Sequence, residues 1–193
     1  MDNQDKINIF RTELNYIQNQ NIKQFTTKCV ELLPDYFFEI PASSTGKYHP
    51  AYTLGSGGLV RHVKAAVRIA VEMFRLDMFR YSEDEKDAIV SALILHDGLK
   101  SGIPQQTYTR HDHPQLIVAY IQQYPEICSL LDDKIRVIIF GALASHMGQW
   151  TTARNSSTVL PKPKTKIESF VHLCDYLASR KFLEHDFNVA VVR

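Results

Sequence analysis

Residues 88–100 read AIVSALILHDGLK, and their reading decides the fold. Ser82 followed by Glu85 is a capping-box pattern that opens a helix just ahead of them. Ala88, Ile89, Ala92, Leu93 and Leu95 then run without a charge to His96-Asp97, and Gly98 is a natural stop. Such a run reads as a buried apolar helix face. It ends on an imidazole and a carboxylate, groups that are costly to bury unless something pairs with them. An aspartate is also unfavourable at a helix C-terminus, where the macrodipole is negative. Lys100 or a metal ion would reverse the sign of that interaction.

Outward from this stretch, helical periodicity dominates. Ile7, Phe10, Leu14 and Ile17 repeat at helical spacing, and a further helix runs from about Ile22 to Leu33, where Pro34 stops it. Asp35 to Ile40 adds a short turn. Val60, Val63, Val67, Ala70, Val71 and Phe74 form one stripe of a long helix, with His62, Ala66, Ile69 and Met73 beside it. Pro114 sits where a first helical position belongs, with His113 just before it. Asp132 opens a helix bearing Ile135, Ile139, Ala142 and His146 on one face, and the last clear helix carries Ile167, Phe170, Val171, Cys174, Asp175 and Ala178. Strand alternation and internal repeats are not evident. The expectation is one all-α domain of six to eight helices. Residues 1–40 are its N-terminal helices, 41–180 its core and 181–193 a C-terminal tail.

Two stretches break the pattern. Pro41 to Gly58 is rich in Pro, Ser, Thr and Gly and includes Lys47, Tyr48 and His49. Trp150 to Lys166 carries Arg154, Lys162, Lys164 and Lys166 without an acidic residue. Long loops in compact domains tend to be functional.

Composition excludes several classes. The chain has 193 residues, 45% hydrophobic and 22% charged, with a formal net charge of +1. That balance gives no global field to draw nucleic acid or a membrane surface. The three cysteines, Cys29, Cys128 and Cys174, lie in apolar surroundings and read as reduced core residues. No signal-peptide layout and no membrane-length apolar run is present, so a cytoplasmic location is expected. A homo-oligomer remains compatible with all of this.

The polar residues on apolar faces are the candidates for chemistry. Asp175 lies four residues after Val171, inside the apolar stripe, and unpaired it would cost several kcal/mol or be forced neutral. A buried salt bridge is the competing explanation. His62 and His146 face inward by phase and could each be a core histidine bonded to a carbonyl. His113 competes with His111 two residues away and is preferred because Pro114 fixes its backbone at a helix start. His172 reads as structural and His185 as solvated. Taken together, His62, His96, Asp97, His113, His146 and Asp175 form a mixed imidazole and carboxylate set suited to first-row divalent ions. No CxxC or HExxH word points to a structural zinc site or a zincin.

The ordered series His62, His96-Asp97 and Asp175 resembles the HD-domain superfamily of metal-dependent phosphohydrolases. The segment PASSTGKYHPAYTLGSGGLVRHV (41–63) is similar to the entry of the HD domain in bacterial 3′–5′ exoribonucleases that join an OB-fold to that domain. LHDGLK (95–100), DHPQL (112–116) and SHMG (145–148) resemble further words of the same group. The likeness spans roughly Pro41 to Arg180. An N-terminal OB-fold is not read here, and HDGLK departs from the HDIGK word of cyclic-dinucleotide phosphodiesterases.

The resemblance implies an HD-type helical bundle holding one or two divalent ions (Mn, Fe, Co, Ni, Mg or Zn). His62, His96, Asp97 and Asp175 would hold one, and Asp97 would bridge to a second held by His113 and His146. Two ions about 3.5–4 Å apart would activate water and neutralise charge on phosphorus. Asp97 and Lys100 would act in catalysis, Lys100 binding a phosphate oxygen unless it is a solvated loop lysine. Tyr48, His49, Trp150 and Arg154, with Lys100, are the candidate substrate contacts, the rings by stacking on a base. The expected substrate is a nucleotide or a short single-stranded nucleic-acid end. A di-iron oxygenase on the same ligands and a non-catalytic nucleotide-binding regulatory domain are the alternatives.

Overall fold

The structure is a computed structural model and describes residues 1–181. The expected tail and His185 therefore lie outside the described residues. Among the described residues there are nine α-helices and two 3₁₀ turns, with no named strand. The helices are α1 (Asn3–Ile9), α2 (Arg11–Leu14), α3 (Gln20–Leu32), α4 (Gly58–Met73), α5 (Glu83–Leu95), α6 (His113–Ile121), α7 (Pro125–Cys128), α8 (Asp133–Ser145) and α9 (Lys166–Ala178). None is long and apolar enough to cross a membrane.

The chain is all-α because the long segments carry buried apolar residues at helical spacing, and four of the five longest helices open on a side-chain cap. Ser82 and Glu85 exchange both hydrogen bonds of a capping box at the head of α5. Asn19, Asp132 and Thr165 cap α3, α8 and α9 through their side chains, each satisfying amides that would otherwise be orphaned. α5 is the central element. Every residue from Asp87 to Leu95 is buried, and the helix touches α2, α3, α4, α8 and α9. Its large side chains each contribute about 1.5–3 kcal/mol of burial. Its two interior polar residues are satisfied. Asp87 accepts from the amides of Gln18 (2.9 Å) and Asn19 (2.6 Å), and Ser91 bonds Thr26 at 2.7 Å.

The stripe Ile7, Phe10, Leu14 and Ile17 is interrupted. At Phe10 the amide reaches back to Asn8 and Ile7, which tightens the turn and separates α1 from α2. Phe10, Leu14 and Ile17 stay buried across the break. α7 is a single turn set by Pro125 at its start, too short for a periodic signal. One cluster of buried apolar residues runs from Phe10 to Ala178, with Cys29 and Cys174 inside it and all three cysteines free.

The loop 41–57 packs against the start of α4. A Cβ on Gly58 would lie 2.0 Å from the Thr53 carbonyl oxygen, so only glycine permits this approach. The contact fixes the first turn of α4, one turn before His62. The second loop, 150–165, folds back on itself through an Ala153–Ser156 bridge and is pinned where the Leu160 amide meets the Thr151 carbonyl.

Candidate metal centre

Helix ends and one helix face converge on a single point. His62 comes from the second turn of α4, and His96 and Asp97 from the end of α5. His113 opens α6, His146 caps α8, and Asp175 lies in the last turn of α9. The four imidazoles and Asp97 are at most 2% exposed.

Their donor atoms fall into two groups, His62 with His96 and Asp175, and Asp97 with His113 and His146. Within each group the atoms lie within 4.8 Å of one another, so each could hold a metal ion. Asp97 faces both. Its Oδ2 is 3.7 Å from His62 Nε2 and 3.5 Å from His96 Nε2, while its Oδ1 is 3.0 Å from His113 Nε2 and 3.9 Å from His146 Nε2. Asp175 Oδ1 lies 3.0 Å from His62 Nε2 and 3.6 Å from His96 Nε2.

Ring orientation indicates what the site is built to hold. Nδ1 of His96 donates to the Leu93 carbonyl at 2.7 Å, that of His113 to Arg110 at 2.6 Å, and that of His146 to Leu143 at 2.7 Å. A carbonyl only accepts, so these bonds place a proton on Nδ1 and aim Nε2 of each ring inward. Nε2 of His113 and His146 then face each other at 3.0 Å, a contact that either a proton on one ring or a metal ion bound by both would satisfy. Nε2 of His62 and His96 is buried without a hydrogen-bond partner. Orphaned, inward-aimed imidazole nitrogens beside two carboxylates fit a divalent metal.

The protonation pattern without an ion follows from the same packing. Burial disfavours the charged form of Asp97, but Lys100, His96 and the hydrogen bond with His113 outweigh it and hold the carboxyl well below its usual range. Asp175 is likewise held well below despite burial, by the close approach of His62 and His96. Burial pulls His96 down, but the charge of Asp97 and bonding to both carboxylates push it up to about 10. Burial, with His113 and His96 adding to it, pushes His146 down to about 3.

The centre opens into a cavity of about 580 Å³. Tyr48, His49, Lys100 and Trp150 line it together with every candidate ligand except His96. The Lys100 ammonium pairs with Asp97 Oδ2, and its side chain is 12% exposed, which removes the reading of a solvated loop lysine. His49 packs 5.8 Å from the His62 ring, and burial, then the charges of His62 and Lys100, push it down to about 4.

Arg154 is a correction. It lines a separate polar cleft with Arg110, His111 and Asp112, because the loop doubles back at Ala153–Ser156 and carries it away. Lys162, Lys164 and Lys166 are exposed and do not line the cavity either. His111 bonds the Thr151 carbonyl at 3.2 Å and is in neither donor group, whereas His113 is. His172 donates from Nδ1 to the His146 carbonyl at 2.7 Å and so braces a candidate ligand from behind.

Sequence reading missed Tyr176, Ser179 and Arg180, which also line the cavity. Helical phase held a signal for them. Ser179 follows Asp175 by four residues, and Arg180 follows Tyr176 by four. Comparison of the chain with protein-family models, with curated proteins and with solved structures returns no match.

Proposed function

We propose that this chain is a metal-dependent phosphohydrolase of the HD type, cleaving a phosphoester of a nucleotide or a short nucleic-acid end. The observation that carries the reading is Asp97, which turns one carboxylate oxygen to each of two buried donor groups. A carboxylate so placed is suited to hold two ions side by side. Divalent ions held there would supply Lewis-acid activation and charge neutralisation at phosphorus.

The chain's own residues account for the rest of the chemistry. His96, His113 and His146 keep Nε2 free by donating Nδ1 to main-chain carbonyls. Lys100 sits at the cavity wall on Asp97 and can turn its ammonium to a phosphate oxygen. His49 is neutral at physiological pH beside His62 and can accept or relay a proton. The imidazoles and Asp97 are almost wholly buried, and charges in such surroundings interact more strongly than in water.

Elemental analysis paired with a hydrolysis screen tests the reading. The screen covers nucleoside mono-, di- and triphosphates, cyclic dinucleotides and short oligonucleotides. The expected result is bound first-row metal and phosphate release that Asp97→Ala abolishes. Hydrolysis retained by a metal-free Asp97→Ala protein overturns the reading. So does iron near two per chain with O₂ consumption and no hydrolysis.

A further inference from the structure

A second anion-binding point lies in the same cavity, away from the candidate metal ligands. Arg180 follows the end of α9, and its guanidinium lies over three rings, 4.4 Å from the centre of Tyr176, 5.2 Å from Trp150 and 5.4 Å from Tyr48. The cage is itself ordered. Trp150 and Tyr176 stack with 15° between their planes, and the Lys181 amide donates to the Tyr48 carbonyl at 2.9 Å. Such a cage holds the guanidinium by its faces and leaves its N–H edges for something else.

Among the described residues, the Nε–H of that edge has no acceptor. Lys100 and Arg180 are the Lys and Arg side chains lining the cavity, and Lys100 is paired with Asp97. Among the described residues Arg180 has no carboxylate partner, and its Nε is buried without a hydrogen bond. A guanidinium carries five donors, and leaving one buried and unpaired is unfavourable. Attraction to the negative end of α9 explains a cation at this position but not the empty donors.

We infer that Arg180, held by Tyr48, Trp150 and Tyr176, anchors a second phosphate of the ligand and so selects a compact nucleoside polyphosphate. The identity of the ligand rests on the phosphohydrolase reading; the anion site itself does not. The rings that could have stacked on successive bases are engaged with each other and with Arg180, and Lys47 lies 5.1 Å over Tyr48. A cavity of about 580 Å³ suits one small ligand and not a strand. A planar guanidinium edge matches a phosphate through paired charge-assisted hydrogen bonds.

Trp150 is the chain's single tryptophan and touches Arg180, so its fluorescence reports the site. The full chain, with its bound metal, is titrated with inorganic tripolyphosphate, adenosine triphosphate, orthophosphate and a short oligonucleotide. Saturable change is expected for the first two. Arg180→Gln should raise their half-saturation about tenfold or more, the scale of a lost charge-assisted hydrogen bond, and leave orthophosphate nearly unchanged. Arg180→Lys keeps the charge without the fork and should weaken binding by a smaller factor, which provides the reading if the glutamine variant does not fold. Unchanged half-saturation in a folded variant, or tighter binding of the oligonucleotide than of the triphosphate, overturns the inference. Absence of hydrolysis with every metal would remove the proposed reaction while an Arg180-dependent titration still stood. Normal hydrolysis with an Arg180-independent titration would do the reverse.

Discussion

His113 and His146 are each held from behind by a main-chain carbonyl and share a carboxylate that is almost wholly buried, whereas His62 has no partner on Nδ1 and faces Asp175, whose side chain is 17% exposed. The first group has both of its rings braced and its carboxylate buried. The second has only His96 braced and its carboxylate partly exposed, although both groups border the cavity. The contrast suggests a division of labour between an ion that is retained and an ion that exchanges, with Asp97 common to both. Asp97→Ala should therefore have the largest effect, with loss of all bound metal by elemental analysis and hydrolysis below detection. His146→Ala and His62→Ala separate the halves. Each should remove one ion per chain, with affinity falling by more than the roughly 10–100-fold typical of changes behind a ligand. Dialysis should strip the wild-type ion bound by the His62 group first. Equal retention of the two ions would break the comparison.

Metal removal comes next in size. An ion present at about 100 times its dissociation constant stabilises the folded state by about 2.7 kcal/mol. For a chain of this length that corresponds to a fall in Tm of about 5–10 °C on chelation. Calorimetry with and without chelator measures it, and a shift preserved in Asp97→Ala would place the stabilising ion elsewhere.

The two halves also differ in what they do with protons. His96 is raised to about 10 without metal, so its contribution to stability is complete below the ordinary histidine value and is lost as pH rises toward 10. His146 is lowered to about 3 and His49 to about 4, so stability is lost as pH falls from about 6.5 toward those values. The fully buried His96 and His146 each contribute a slope of about 1.4 kcal/mol per pH unit inside their windows, and the partly exposed His49 contributes less. Asp97 and Asp175, both held low, extend the loss at more acid pH. Denaturation of the chelated protein across pH 3–7 should show this slope, and His146→Gln should flatten it. Metal binding must displace the His96 proton, so affinity should rise about tenfold per pH unit over the neutral range. A pH-independent affinity would mean that His96 is not a ligand.

Much of this was legible before any coordinates. The α5 run, its capping box and the unfavourable Asp97 at its end are local signals, and local signals survive folding. Asp175 was visible because one carboxylate interrupts an apolar stripe. What was hidden depends on how loops close. Arg154 and Arg180 are both arginines near the same cavity in sequence order, yet the doubling back at Ala153–Ser156 removes the first and the end of α9 delivers the second. No periodicity encodes that exchange. The break at Phe10 and the single turn of α7 escaped for a related reason, since neither alters which residues are apolar.

The smallest expected effect probes how the buried half is held. Gly148 adopts φ 62°, and a Cβ there would lie 2.2 Å from the His172 ring. That close approach lets His172 reach the His146 carbonyl and pack 5.7 Å from Trp150. The bond supports the main chain at His146 and not its ring, so its loss should cost stability more than metal affinity. His172→Phe keeps the aromatic packing and removes the donor. It should lower stability by about 1 kcal/mol, a Tm change of about 2–4 °C, with metal stoichiometry unchanged. Loss of one ion in that variant would show that the braced half depends on its backing as much as on its ligands, and the contrast with the less braced half would narrow.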